Sequence, residues 1–502
     1  MSEQSVEQVT FDFFSRLPVV VEPTEAQLSS DVGILPIRQF DDQIGFTERF
    51  TACLNDPRDP DQIDHPLDEM VRQRLYGILA GYEDCNDHDG LRSDPVFKIV
   101  SGRAPHEDDL ASQPTLSRLE NVIDIASLWQ IHDFFIDDFL RSFDRPPEAI
   151  TLDLDAVDDP CHGQQQLAFF HGFYDQYQYL PIVISCAETK QILWVSLRPG
   201  NVHAALGADD DIEYVVRRIR AAWPDVVVHV RGDAGFGMPW MYEVCDRLGL
   251  LYTFGLSANS VLKEATDFLL KEAVTRHEQT DESQRLFTQF LYRAGSWKDF
   301  RRVIVKAECN RIGTNRRFIV TNRPGAAVLP GVAYDDYAER GESENRNKEL
   351  KEGVSADRLS CHRFVANYFR LQLHAAALNL VIRMRAVVSD PPTLVAKDDP
   401  RLRQLPREER ANLVPVEDPT LPVAALAEPE RRRYQNYRRR KDPLGEGHLA
   451  TWRTFLIKVA GEVFQSARRI LIRIPAHWPY LRWFQEVSRR LAERQRSIQV
   501  QT

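Results

Sequence analysis

The chain has 502 residues, 43% of them hydrophobic, which leaves room for about three domains and a substantial core. Seven cysteines without a CxxC pair argue against a disulfide framework and against a zinc finger. A net charge of −11 speaks against nucleic acid when taken over the whole chain, but the charge is uneven.

Residues 431–502 hold 17 Lys/Arg against 5 Asp/Glu, whereas the first 130 residues hold 25 acids and 10 bases. A basic tail on an acidic body fits contact with a polyanion, and equally a tail folded onto its own chain. No apolar run reaches the eighteen or so residues of a membrane span, and the acidic start MSEQSVEQVTFDFF is unlike a secretory signal. A soluble, cytoplasmic protein without a membrane partner is expected.

Residues 1–40 alternate short apolar groups with Pro and polar residues, as a strand or arm would. From 41 to about 129 the apolar residues recur at three and four, predicting an all-helical N-terminal domain over 1–140 that is a candidate for binding a DNA end. At Glu148 the period becomes two. AITLDLDAV sets Ile150, Leu152 and Leu154 on one face and Thr151, Asp153 and Asp155 on the other. A hairpin (YLPIVISCAETKQILWVSLRPG), a helix, the strand DVVVHVRGD and another helix follow, the order of a mixed α/β sheet of the RNase H type. β-like runs over about 256–330 read as a β-rich insertion in a domain spanning 141–388. The stretch RLSCHRFVANYFRLQLHAAALNLVIRMRAVV is a long helix, apolar on most sides and so buried. Residues 389–430 read as a Pro-rich linker and 431–502 as a basic helical region. Its aromatics, Tyr434, Tyr437, Trp452, Trp478 and Trp483, suit either phosphate contact with stacking or an amphipathic helix with Arg on its wet face.

Two strands end in aspartates, Asp155 and Asp233, where a functional group is common in an open α/β sheet. Asp153 shares the Asp155 face and is its rival, with Asp158 and Asp159 close behind. The stretch YAERGESENRNKELK, read as a helix, sets Tyr337, Arg340, Glu344, Asn347, Lys348 and Lys351 on one face at about 100° per residue. A core helix would fill that stripe with Leu, Ile or Val. Here it holds a phenol, a carboxylate, an amide and three cations. Two strand-end aspartates and a helical glutamate offer three hard oxygen ligands, which suits Mg²⁺ beside a phosphate. Glu342 is the alternative to Glu344, on a different face. His162 has no partner at metal-ligand spacing. No Ser-His-Asp order, Walker loop or GxGxxG fingerprint stands out.

The spacing Tyr337-x2-Arg340-x3-Glu344-x6-Lys351 resembles the Tyr-Arg-Glu-Lys signature of bacterial insertion-sequence transposases of the DDE class. LDLDAV, HGQQ (His162 to Gln165), RGDAGF and RLSCHRFVANYFRLQLHAAALNL are similar to the group 1 branch of that class. The resemblance implies an α/β RNase H-like catalytic domain with a β-rich insertion, and Asp155, Asp233 and Glu344 as the ligands of Mg²⁺ or Mn²⁺. It implies Arg340, Lys348 and Lys351 on DNA phosphates, Tyr337 near the same phosphate, and Trp297 in the insertion stacking on a flipped base. It implies double-stranded DNA (transposon ends and target) as partner, a homodimer in the synaptic complex, and a bacterial, nucleoid-associated location. The chain departs from the pattern at Val157, where a Thr is expected. Rival expectations are an RNase H-like nuclease without strand transfer, and a DNA-binding protein that does not cut. The intact acidic triad argues against the second.

Overall fold

The computed structural model of the chain describes residues 8–501 other than 12, 14–16, 411, 422 and 424–425. Its centre is an eight-stranded mixed sheet. In chain order the strands are β1 (Ala149–Ala156), β2 (Ile182–Cys186), β3 (Ile192–Ser196), β4 (Val227–Gly232), β5 (Leu251–Leu256), β6 (Gln284–Tyr292), β7 (Arg301–Asn310) and β8 (Gly313–Thr321). Their spatial order is β6-β7-β8-β5-β4-β1-β2-β3. β1, β4 and β5 run parallel, while β2 and β3 on one side and β6, β7 and β8 on the other pair antiparallel. The β-rich stretch therefore does not form a separate body. Through β8 against β5 it extends the sheet already begun.

The two-residue period of the strands decides what each face meets. Ile150, Leu152 and Leu154 of β1 and Val228 and Val230 of β4 join one apolar cluster with the helices Ala208–Ala222 and Pro239–Arg247. The opposite face carries a polar row: Asp153, Arg231, His229, Thr253 and Thr321. His229 and Thr253 are 3.0 Å apart, as are Thr253 and Thr321. Such a row survives burial only when its members bond to one another.

The predicted N-terminal helices are present and include α1 (Leu67–Ala80), α2 (Gln113–Val122) and α3 (Ile125–Leu140). They surround the long helix α4 (Phe364–Val388). That helix is long and apolar enough to cross a membrane, against the expectation from the sequence, but 78% of its most apolar window is buried inside the protein. Its polar residues explain why it sits there. Arg370 of α4 and Arg74 of α1 both pair with the buried Glu120 of α2, at 2.7 and 3.0 Å. Asn379 accepts from the Ile192 N–H and donates to the Ile192 carbonyl, both at 2.8 Å, closing the free edge of β3 with a side chain.

The C-terminal region departs from the all-helical expectation. Gly461–Ser466 and Arg469–Arg473 form a hairpin whose first strand pairs with Leu28–Ser29. Alternation in RILIR carries the strand signal, which the run of arginines obscures. The expected linker likewise holds a parallel strand pair, Thr393–Ala396 with Leu413–Val416. Lys458 pairs with Asp31 at 2.6 Å, and Arg453 donates to the carbonyls of Ile78 and Leu79 at 2.9 Å, so part of the basic tail does fold onto its own acidic body. Trp452 is fully buried, its indole N–H donating to the Leu444 carbonyl, and Tyr434 and Tyr437 rest on Val414, Val416 and Leu426. These three aromatics serve packing.

Glu349 joins these layers. Its carboxylate accepts from both Arg385 terminal nitrogens on α4 and from the Leu449 N–H. Burial works to raise this carboxyl, but hydrogen bonds from His448 and Arg385 and the Arg385 charge overcome it and hold it down to about 2. Glu349→Gln should therefore cost about 3 kcal/mol near pH 7 by leaving Arg385 buried without its anion. The contribution is complete above the ordinary value of 4.5 and is lost as pH falls through about 2. Urea unfolding of both proteins should show the gap narrowing across that window. A gap that is constant with pH contradicts the ion pair.

Candidate active site

The stretch predicted as one helix is two. Helix α5 (Pro330–Ala338) ends before Glu339, helix α6 (Gly341–Lys348) begins after Arg340, and a wider turn over Glu349–Gly353 follows. The break re-aims the stripe. Arg340, Glu344, Asn347, Lys348 and Lys351 line an open cavity of about 550 Å³ together with Asp155, Asp158, Asp233 and Asp357. Tyr337 stays behind it, half-buried against the Ile304 and Ile319 cluster, with the Arg340 guanidinium 5.8 Å from its ring centre.

Asp153 and Asp155 share a strand face but not a fate. Asp153 is 1% exposed and is held by Arg231 of β4 through two bonds, at 2.7 and 3.1 Å, and by Arg346 of α6. It is enclosed by these two guanidiniums and does not line the cavity. Asp155, two residues nearer the strand exit, is 8% exposed but lines the cavity, and Arg340 donates to it at 3.0 Å. Burial raises the Asp155 carboxyl, Arg340 works against that, and the Asp233 charge adds to it.

The buried set and the cavity set are offset by two residues: Asp153 and Asp155, Arg231 and Asp233, Arg346 and Glu344. Along a strand, a step of two keeps the same face. On a helix it turns about 200°, so an inward Arg346 forces Glu344 outward. The Glu344 side chain is 74% exposed, with Arg340 at 3.8 Å. Asp233 is exposed, and its Oδ1 accepts from the Gly235 N–H at 2.8 Å in the turn after β4. Gly255 makes room for that turn: a Cβ there would lie 2.7 Å from the Ala234 nitrogen and 2.9 Å from the Tyr337 hydroxyl.

Among the described residues no three His, Cys, Asp or Glu side chains form a ready-made metal-holding group. Asp155, Asp233 and Glu344 share the cavity without meeting at one point. As a donor set, three carboxylates from separate elements on an open cleft still fit a hard divalent cation. Lys351 Nζ lies 3.1 Å from Asp158 Oδ1, while Lys348 is 66% exposed and 3.7 Å from Glu352.

Trp297 is not a surface group. It is 7% exposed, part of the main apolar cluster, with its ring centre 5.2 Å from that of Tyr242 and 5.5 Å from that of Tyr292. No base can stack there, and the expectation that it does is corrected. His162 is exposed, but Gln165 of the same motif donates to the Leu359 carbonyl at 2.8 Å and accepts from Asn367 at 3.1 Å. Two motifs distant in sequence, HGQQ and RLSCHRFVAN, thus fasten to each other. Asp357 in the cavity wall and the partner role of Arg346 were not foreseen. Neither has a periodic signal, and both depend on tertiary pairing.

The sequence model described as transposase DDE domain group 1 matches residues 11–398. No curated protein is matched. Among solved structures, one titled as a cryo-EM structure of a piggyBac transposase synaptic complex with hairpin DNA aligns at 12% identity and a TM-score of 0.38, covering 72% of this chain and 77% of that one.

The difference between the two aspartates can be measured. Asp153→Asn should cost about 3–5 kcal/mol, because two buried guanidiniums lose their anion. Asp233→Asn, exposed and facing like charges, should change stability by less than about 0.5 kcal/mol. Urea unfolding of the two variants checks this, and equal costs would contradict the assignment of Asp153 to structure and Asp233 to the cleft.

Proposed function

The chain belongs to the transposase DDE domain group 1 family, and on that premise we propose that it is a DNA transposase acting on its own element through the cleft around Asp155, Asp233 and Glu344. The observation that carries this reading is the convergence on one cavity of three carboxylates from β1, the β4 turn and α6, with Arg340, Lys348 and Lys351 around them. The strand order β3-β2-β1-β4-β5, with β2 antiparallel to β1 and β4 parallel to it, supports an RNase H-like arrangement.

In this reading Asp155, Asp233 and Glu344 hold Mg²⁺, or Mn²⁺ in its place. The cation would supply Lewis-acid polarisation of the scissile phosphate. The protein's own groups bind and orient the DNA. Arg340 offers a planar fork and Lys351 and Lys348 offer point charges to phosphates of the terminal repeat. In the free protein Arg340 rests on Asp155, so an incoming phosphate competes with that carboxylate for the guanidinium. Tyr337, against Arg340, limits where the guanidinium can turn. Binding of inverted repeats, strand cleavage, strand transfer and a homodimeric synaptic complex at the nucleoid complete the proposal.

The test is a supercoiled plasmid carrying the element's ends, incubated with Mg²⁺ and either wild type or Glu344→Gln. Wild type should excise and join ends, while the variant binds them and cuts about a thousandfold more slowly. Equal cutting by the variant would remove Glu344 from the site. Cutting without joining by wild type would replace the transposase with a nuclease on the same framework.

A further inference from the structure

Between β1 and β2 the chain leaves the main sheet and forms a small three-stranded one from Asp159–Pro160, Phe169–His171 and Gln176–Tyr179. Its hairpin, residues 169–179, reads FFHGFYDQYQY. Apolar rings in so short a hairpin would ordinarily turn toward a core, yet Phe169 is 40%, Phe170 48%, Tyr177 62% and Phe173 85% exposed. Phe170 and Tyr177 are directly opposed across the strands, with ring centres 5.7 Å apart, and Phe173 stands edge-on to Tyr174 at 5.0 Å.

The hairpin is fastened to the cleft. Gln176 Nε2 donates to Asp158 Oδ2 at 3.4 Å, and the same carboxylate takes Lys351 on its other oxygen. Burial raises the Tyr174 hydroxyl, and the charges of Asp158 and Asp233 raise it further, so Tyr174 lies within their electrostatic reach.

We infer that this hairpin is a stacking platform for unpaired bases of the DNA strand whose phosphate occupies the cleft, with Phe170, Phe173 and Tyr177 supplying the ring faces. The inference rests on the DNA reading of the neighbouring site. Two features favour nucleobases over a protein partner. The hairpin, residues 169–179, contains no Val, Ile, Leu or Met, the side chains that fill a protein interface, and its exposed rings, Phe169, Phe170, Phe173 and Tyr177, suit the π-faces of bases. The patch also adjoins a cleft whose exposed Lys348 and partly exposed Lys351 can hold the phosphate of the same nucleotide. With Trp297 in the core, the hairpin supplies exposed rings beside the carboxylates.

The test uses a forked duplex with 2-aminopurine in its unpaired arm beside the junction, and a blunt duplex of the same paired sequence. Binding is followed by anisotropy and stacking by quenching of the 2-aminopurine fluorescence. Wild type should quench the probe and prefer the fork. Phe170→Ala with Phe173→Ala should abolish the quench and weaken fork binding by about tenfold to a hundredfold, leaving blunt-duplex binding unchanged. Phe173→Trp should keep the quench. A double variant that quenches and binds like wild type overturns the inference. So does one that shifts the sedimentation coefficient while the quench persists, which would make the patch an interface between two copies of the chain. If wild type binds both duplexes equally without quenching, the platform fails while the DNA reading stands. If it binds neither, the DNA reading fails first.

Discussion

A buried bridge, Arg231–Asp153–Arg346, is the contact on which the site depends. The Asp153 side chain is fully buried, Arg231 is 4% exposed and Arg346 is 10% exposed. Charges removed from water to this extent are tolerable only when their partners are held in place. That requirement fixes β1 beside β4, where Arg231 and Asp153 are register partners, and pins α6 onto both strands. Asp155, Asp233 and Glu344 each stand two residues from one member of the bridge. The three carboxylates of the cavity are thereby positioned by residues that are themselves spent on structure. The arrangement leaves Asp233 and Glu344 exposed, and Asp155 at the cavity wall beneath Arg340.

The same division runs through the rest of the molecule. One face of the sheet is an apolar core, and the other carries a polar row over β1, β4, β5 and β8 between apolar contacts at either side. Asn379 closes the edge strand β3, Glu120 ties α1 and α2 to α4, and Glu349 ties the turn after α6 to α4. These buried polar contacts each need specific partners, so they set the relative positions of layers that apolar contact alone would leave free to slide.

Much of this was legible in the sequence because it is periodic. The alternation in AITLDLDAV gives the strand, its apolar face and the pair of competing aspartates, of which Asp155 lines the cavity and Asp153 does not. The helix of polar stripe was legible as a surface but not as two pieces. Local propensity does not register that Arg340 is drawn to Asp155 and Arg346 to Asp153, with Gly341 easing the break. The resemblance puts Trp297 against DNA, whereas a lone Trp beside a turn is more often core, and its packing against Tyr242 and Tyr292 is of that second kind. The aromatic run at 169–179 is plain in the sequence, but its exposure is not, since the same residues would suit a core strand. The C-terminal hairpin was hidden by its arginines, whose aliphatic stems are compatible with either period.

The central claim is that three carboxylates from three elements bind divalent metal in one cleft. Iron-directed oxidative cleavage measures this most directly: Fe²⁺ in place of Mg²⁺, with ascorbate and peroxide, cuts the backbone beside its ligands. The account predicts three sets of fragments, ending near residues 155, 233 and 344, which fade together in Asp155→Asn. Cuts near 155 and 233 without one near 344, or cuts that persist unchanged in the variant, would contradict it.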